Sequence, residues 1–393
     1  MIKPGPVFTH PRTPAARCLH LVRLNPIITR NELVDATGLS QPTITRAIAA
    51  LLEAGLVQER ADLTRTRGRG RPTVPLEIAE NNWMLAGISV GTSASYIGLY
   101  DTHGRTIRED SIPTPVATLS EEDFIEHVIA GVNRLKTGVK RQLVSMGVTT
   151  SGSVDESGLV WASNLGWKGV DIGAKLRYQF GVPVVVSSAI SAILGSETQG
   201  VLPDSTDSVM VFFADDSIGA ALSTPEGVSQ INPLPTTTSE LLSLLGTPTE
   251  EALSTAAILA AINSRLGAPA PVTTLQAAAE LAATNAQART LLDERAHLLG
   301  TVAAELANQH NPQTITIAGS AFIDDPHASR IFARALRTGS HPDIKPQLRV
   351  IPTHREIVSA IARAVALDPI LRLPLQLKPD DSKLVGTYDR PIR

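Results

Sequence analysis

Residues 29–72, TRNELVDATGLSQPTITRAIAALLEAGLVQERADLTRTRGRGRP, decide how the chain is read. Thr29 followed three residues on by Glu32 is the capping-box pattern, which predicts a helix that Gly38 ends. Ser40 is suited to cap the next helix, Pro42 to sit in its first turn and Gly55 to close it. Within that helix Ile44, Ile48, Leu51 and Leu52 recur at helical spacing, so they should pack on Leu33, Val34 and Leu39. The opposite side presents Gln41, Thr43, Thr45, Arg46 and Ala49, short groups and one guanidinium, a composition suited to a DNA major groove. A three-helix module with a solvated face is the bland alternative.

The flanking segments sharpen the choice. LVQER and VPLEI read as short strands bracketing ADLTRTRGRGRPT, the hairpin wing of a winged helix. The alternation Arg67-Gly68-Arg69-Gly70-Arg71-Pro72 keeps backbone bulk low and presents guanidinium groups, as entry into a narrow A·T-rich minor groove requires. Ser40, Gln41, Thr43, Thr45, Arg46, Arg65, Arg67, Arg69 and Arg71 are therefore the expected DNA-binding residues. Upstream, Pro14 opens an expected first helix running to about Asn25.

Charge distribution agrees. The net charge is -3, yet residues 1–80 carry +4 and the remainder -7, a basic head on an acidic body. No run of about 18 apolar residues could span a bilayer, the N-terminus has no signal-peptide core, and the single Cys18 can form no internal disulfide. The expectation is a cytoplasmic protein without membrane contact, with Cys18 a buried thiol rather than a redox sensor.

From Trp83 the texture becomes α/β. Three successive strands, a helix, a strand, a helix and the strand VPVVVSS are followed by a second cycle of SVMVFFADD, GAALST and GVSQIN, a helix-rich stretch from 239 to 309, TITIAGS, a helix, LRVIP and a last helix. A duplicated, two-lobed architecture with a cleft follows. The expected divisions are a flexible N-terminus at 1–13, a winged helix-turn-helix at 14–80, lobe 1 at 81–195, lobe 2 at 196–353, a helix returning to lobe 1 at 354–372, and a flexible tail at 373–393.

Several segments resemble the ROK family of repressors and sugar kinases, whose body is actin-like, a duplicated ribonuclease H-like fold. The specific pieces are GVTTSGSVDESGLVWASNLGWKGVDIGAKLRYQFGVPVVVSS, ending at Ser188, and LGTVAAELANQHNPQTITIAGSAF. With a winged helix in front, the arrangement is similar to the N-acetylglucosamine and xylose repressors of that family rather than to its free-standing glucokinases. The resemblance implies a homodimer or homotetramer on a palindromic double-stranded operator with A·T-rich flanks.

The departures from that family bear on mechanism. Its first phosphate loop carries Asp, Gly and Thr, where this chain has Ser89, Gly91 and Ser93. Its catalytic Asn-Asp pair, the Asp acting as general base, becomes Ser187-Ser188, and a hydroxyl is too weakly basic for that role near neutral pH. Its neutral Gly-Thr-Gly phosphate turn becomes Asp215-Asp216-Ser217, whose carboxylates would repel nucleotide phosphates. Its Glu-x-x-His sugar clamp and Cys-rich zinc loop have no counterpart in EGVSQINPLPTTTSELLSLLGTPTE. The resemblance therefore implies a non-catalytic body with no metal and no cofactor. Asn164, Ser187, Ser188 and Thr236 to Thr238 remain as polar residues that would line a cleft for a small-molecule effector. Two rival readings stay open: a sugar kinase carrying a DNA-binding head, and a regulator with a non-sugar effector or none.

Overall fold

The structure is a computed structural model and describes residues 7–63, 74–200, 208–242, 248–266, 271–351 and 354–377. The head consists of α1 (Pro14–Leu24), α2 (Arg30–Thr37), α3 (Gln41–Glu53), β1 (Val57–Glu59) and β2 (Leu76–Ile78). The capping box on α2 is complete. Thr29 accepts from the Glu32 amide while the Glu32 carboxylate takes the Thr29 amide at 2.7 Å, so two orphan donors are satisfied. Gly38 then ends the helix with φ 66°, a left-handed conformation that favours glycine. β1 and β2 pair antiparallel, and Ile28 bridges to Leu76.

Lobe 1 contains β3 (Trp83–Val90), β4 (Ala94–Tyr100), β5 (Thr106–Pro113), α4 (Glu121–Lys136) and β6 (Gln142–Thr150). A small sheet of β7 (Ser153–Val154), β8 (Val160–Ala162) and β9 (Trp167–Val170) follows, then α5 (Ile172–Phe180), β10 (Val184–Ser188) and α6 (Ala189–Thr198). The main sheet has the order β10-β6-β3-β4-β5. Every residue of β3 is buried, as befits a strand covered on both faces.

Lobe 2 repeats the pattern. It comprises β11 (Val209–Ala214), β12 (Ile218–Thr224), β13 (Gly227–Ile231), α7 (Thr249–Ala252), α8 (Thr255–Leu266), α9 (Leu275–Ala282) and α10 (Ala286–His310). After these come β14 (Thr314–Ala318), α11 (Ser320–Ile323), α12 (Pro326–Gly339) and β15 (Gln347–Val350). Its sheet order, β13-β12-β11-β14-β15, matches that of lobe 1 strand for strand.

The last helix, α13 (His354–Arg372), lies across lobe 1 on a surface made flat by glycine. Gly147 of β6 pairs with Gly87 of β3, and a Cβ on Gly87 would stand 2.0 Å from the Ala362 carbonyl oxygen. Only a hydrogen there lets helix and sheet backbones approach so closely.

Head and body share one core. Leu19, Leu33, Ile44, Ile48 and Leu51 of the head belong to the same buried cluster as Trp83, Leu85 and Tyr100 of lobe 1 and Leu367, Ile370 and Leu371 of α13. The head is thus packed on its body rather than tethered to it.

The described parts of the two expected flexible ends are held in place. Residues 7–13 are anchored: the Phe8 amide donates to the Asp368 carboxylate at 2.7 Å, the Phe8 carbonyl accepts from Val228, and the Phe8 ring lies against Gly195 of α6. Phe8 fills an apolar slot formed with Ile190, Ile193 and Ile361, and that burial outweighs the proline-rich composition. At the other end Pro374–Gln376 form a 3-10 turn, and Leu377, which follows it, is buried against the head. Residues 1–6 and 378–393 lie outside the described residues.

Candidate nucleic-acid interface and inter-lobe cleft

Ile44, Ile48 and Leu51 of α3 are fully buried, which rolls the opposite side outward. Gln41, Thr45, Arg46 and Ala49 are exposed there, with Thr43 half-buried beside them. Thr45 donates to the Gln41 carbonyl at 2.9 Å and Arg46 Nε to the Pro42 carbonyl at 3.3 Å, so the polar tips are held by their own helix and compete with no other element. Ser40 occupies the N-cap position, but its hydroxyl makes no capping bond to the backbone; it meets the Thr43 hydroxyl at 2.9 Å instead.

At the base of the wing the cations are internally neutralised. Arg60 pairs with Asp62 at 2.7 Å and with Glu77 at 2.8 Å, and Arg30 pairs with Glu59 at 2.6 Å. The Arg60 guanidinium is pushed up by its hydrogen bonds to Asp62, then Glu77, and the same pair holds the Asp62 carboxyl low. These contacts fix where the hairpin leaves the head. Arg65, Arg67, Arg69 and Arg71 lie outside the described residues.

The second candidate is the cleft between the lobes, about 1290 Å³ in volume. Its floor comes from the β3–β4 loop, the β11–β12 loop and α13. The two loops are joined directly: Thr92 Oγ1 donates to Asp216 Oδ2 at 2.7 Å. Asp215 accepts from the Ser320 hydroxyl at 2.8 Å. Beneath them Arg295, 3% exposed, donates to the Leu253 carbonyl at 2.8 Å. Burial lowers this guanidinium to about 10, while Asp215, Asp216 and Asp325 pull the other way. The carboxylates thus have a buried counter-charge below them and a hydroxyl on each side. A phosphate turn would have put neutral amides at the same place.

Among the described residues the cleft lining includes the carboxylates Glu109, Asp110, Asp215, Asp216 and Asp324 and the guanidinium of Arg363. That balance disfavours a polyphosphate.

Of the three residues proposed for an effector cleft, the structure brings only Asn164 to the lining, where its side-chain carbonyl lies 3.0 Å from the Ser151 hydroxyl. Ser187 and Ser188 are 4% and 2% exposed and do not line it. Ser188 is the N-cap of α6, accepting from the Ser191 amide at 3.3 Å and donating to the Ser191 hydroxyl at 2.9 Å. The Ser187 hydroxyl turns back to the Ser188 carbonyl at 3.2 Å. Thr236 to Thr238 do not reach the lining either. Missed in sequence were Thr92, Ser151 and Arg295. A signal for α6 was present, since Ser188 preceding AISAILGSET is a serine N-cap before a helix-forming run.

The fold and these two sites define a winged-helix protein with a two-lobed, sugar-kinase-like body. The model described as "ROK family" matches residues 85–221, and that described as "MarR family" matches residues 11–68. The chain is 33% identical over 386 residues to a Mycobacterium tuberculosis protein named transcriptional regulator Rv0485, covering 92% of this chain and 86% of that one. It is 24% identical over 229 residues to the Escherichia coli DNA-binding transcriptional repressor Mlc, 56% of this chain and 55% of that one. A solved ROK family transcriptional regulator, a homolog of E. coli Mlc, superposes with a TM-score of 0.71 at 18% identity over 91% of this chain and 96% of its own. The chain belongs to the ROK family, with a MarR-like helix-turn-helix at its head.

Proposed function

We propose that the protein is a sequence-specific DNA-binding transcriptional regulator, acting as a repressor, whose body pairs subunits and does not phosphorylate sugars. The observation that carries this reading is α3, where a fully buried Ile44, Ile48 and Leu51 leave Gln41, Thr45, Arg46 and Ala49 exposed on one side. Gln41, Thr45 and Arg46 read or flank bases in the major groove, with Ser40 and Thr43 at the helix entry. Arg65, Arg67, Arg69 and Arg71 enter the minor groove from the wing. Because Arg30 and Arg60 are already paired with carboxylates, the phosphate-facing charge comes from Arg46 and the wing.

The names of the relatives support regulation, and the repressor among them supports its sign. The non-catalytic body is supported by Ser188, which stands at the position of the kinases' general base and is committed to capping α6. A homodimer or homotetramer places two heads on a palindromic operator, with half-sites about 10 bp or a multiple apart. A small-molecule effector, if the protein has one, contacts Asn164 in the inter-lobe cleft.

Electrophoretic mobility shifts on fragments of the source genome test the DNA reading: Arg46→Ala should weaken specific binding, and unchanged affinity would remove α3 from the interface. The rival reading, a working sugar kinase, requires sugar-dependent ATP turnover. The purified chain should show none across a hexose and amino-sugar panel, and turnover would overturn the non-catalytic assignment.

A further inference from the structure

A second pocket lies where the head meets the body. Arg23 from the last turn of α1, His103 and Gly104 from the β4–β5 turn, Gln199 at the end of α6 and Arg363 of α13 surround about 270 Å³. Four separate elements therefore contribute to one small space. Its charge is one-sided: no carboxylate lines it among the described residues. Asp101, the acid next to His103 in the turn, is taken by Arg105 at 2.6 Å and lies 4.0 Å from His103. Asp368 of α13 is held by Arg372 at 3.0 Å and by the Phe8 amide.

The two arginines are incompletely satisfied. Arg23 donates one terminal nitrogen to the Gln199 carbonyl, and its buried Nε has no hydrogen-bond partner. Burial depresses the Arg23 guanidinium first, and the charge of Arg363 depresses it further. Arg363 is exposed and makes no hydrogen bond or ion pair among the described residues. Arg363 also borders the acidic inter-lobe cleft, but on the pocket side the two like charges meet no carboxylate among the described residues, and the buried Arg23 Nε is unused, an arrangement that an entering anion relieves.

We propose that this pocket binds a small phosphate-class anion, either inorganic phosphate or the phosphoryl group of a small metabolite. Two guanidinium groups match the double charge and the several acceptors of a phosphoryl group, and the volume falls just below the range of about 300–1,000 Å³ usual for drug-sized ligands. The bound anion bridges a cation of the head to a cation of the body. Its occupancy therefore favours the docked head over any arrangement that separates Arg23 from Arg363. The binding claim stands apart from the DNA-binding reading, because it is measured without DNA.

The test titrates inorganic phosphate and, separately, glycerol 3-phosphate into the full chain by calorimetry, with sodium chloride keeping ionic strength constant. Saturable binding of at least one probe is expected. Arg363→Ala, which removes an exposed side chain with no hydrogen bond and relieves the repulsion on Arg23, should not lower the ligand-free melting temperature and should weaken binding by about tenfold or more, with Arg363→Lys intermediate. Tighter binding of glycerol 3-phosphate identifies a phosphate ester as the ligand, and equal or tighter binding of phosphate identifies the free ion. No saturation by either probe up to about 10 mM would overturn the proposal. So would Arg363→Ala binding as the wild type does.

Discussion

Thr92 Oγ1 donates to Asp216 Oδ2 at 2.7 Å, and that bond ties the two loops that face each other across the inter-lobe cleft. Thr92 belongs to the turn between β3 and β4, Asp216 to the matching turn between β11 and β12 in the other lobe. Asp216 stands where the family's kinases have a neutral turn that cradles phosphate. Here the carboxylate makes a contact between lobes, with Arg295 as buried counter-charge below. Asp216 thereby supplies a clasp between the two lobes.

Thr92→Val should release this clasp, at a cost of about 1.5–3 kcal/mol for a hydrogen bond to a charged acceptor. Hydrogen exchange at residues 91–94 and 215–218 should rise, while Thr92→Ser, which keeps the hydroxyl, should behave as the wild type. Identical exchange in Thr92→Val and wild type would mean that the bond does not hold the lobes together.

Phe8 is the anchor of the N-terminal segment. Phe8→Ala leaves a cavity between α6 and α13 and should lower stability by about 3–5 kcal/mol, read from chemical denaturation. A loss below about 1 kcal/mol would show that residues 7–13 do not strap the lobes.

Cys18 offers a test by pH. It is fully buried, and burial raises its thiol from 9.0 to about 11. The folded state therefore keeps the proton over a range in which the unfolded chain has lost it. The stabilisation is fully present below pH 9 and disappears as pH rises through about 11, an amount on the order of 2–3 kcal/mol. Between those limits Cys18→Ala should lose less stability than the wild type, since every other titrating group is common to both. Native Cys18 should also resist alkylation at neutral pH and react once the chain is unfolded. Parallel stability curves for the two proteins would contradict the assignment.

The head was legible in sequence because its signals are local. Thr29 with Glu32, Gly38, Pro42 and the spacing of Ile44, Ile48 and Leu51 each act within one or two turns, where periodicity and capping rules apply directly. The duplicated sheets were legible for a related reason, since each lobe repeats the same succession of strands. The inter-lobe cleft was less so. Ser187 and Ser188 stand at the right point of the chain for a catalytic pair, yet the Ser188 hydroxyl caps α6 and the Ser187 hydroxyl bonds the Ser188 carbonyl, and only the local fold reveals that. Thr92 and Asp216 come together across 124 residues, Arg295 comes from α10 further along the chain, and no spacing rule links the three. Phe8 was missed because a proline-rich segment without periodicity reads as loose, and its burial depends wholly on distant partners in α6 and α13.

The central claim is that the head reads DNA sequence through α3 and the wing. Affinity selection of genomic fragments by the purified chain, followed by nuclease footprinting of the recovered sites, tests it most directly. The account predicts discrete protected segments containing paired half-sites about 10 bp or a multiple apart. It also predicts that Arg46→Ala and the double variant Arg69→Ala/Arg71→Ala each weaken those footprints, by about 1–3 kcal/mol for a lost base contact. Recovery of fragments without sequence preference, or footprints unchanged in both variants, would contradict it.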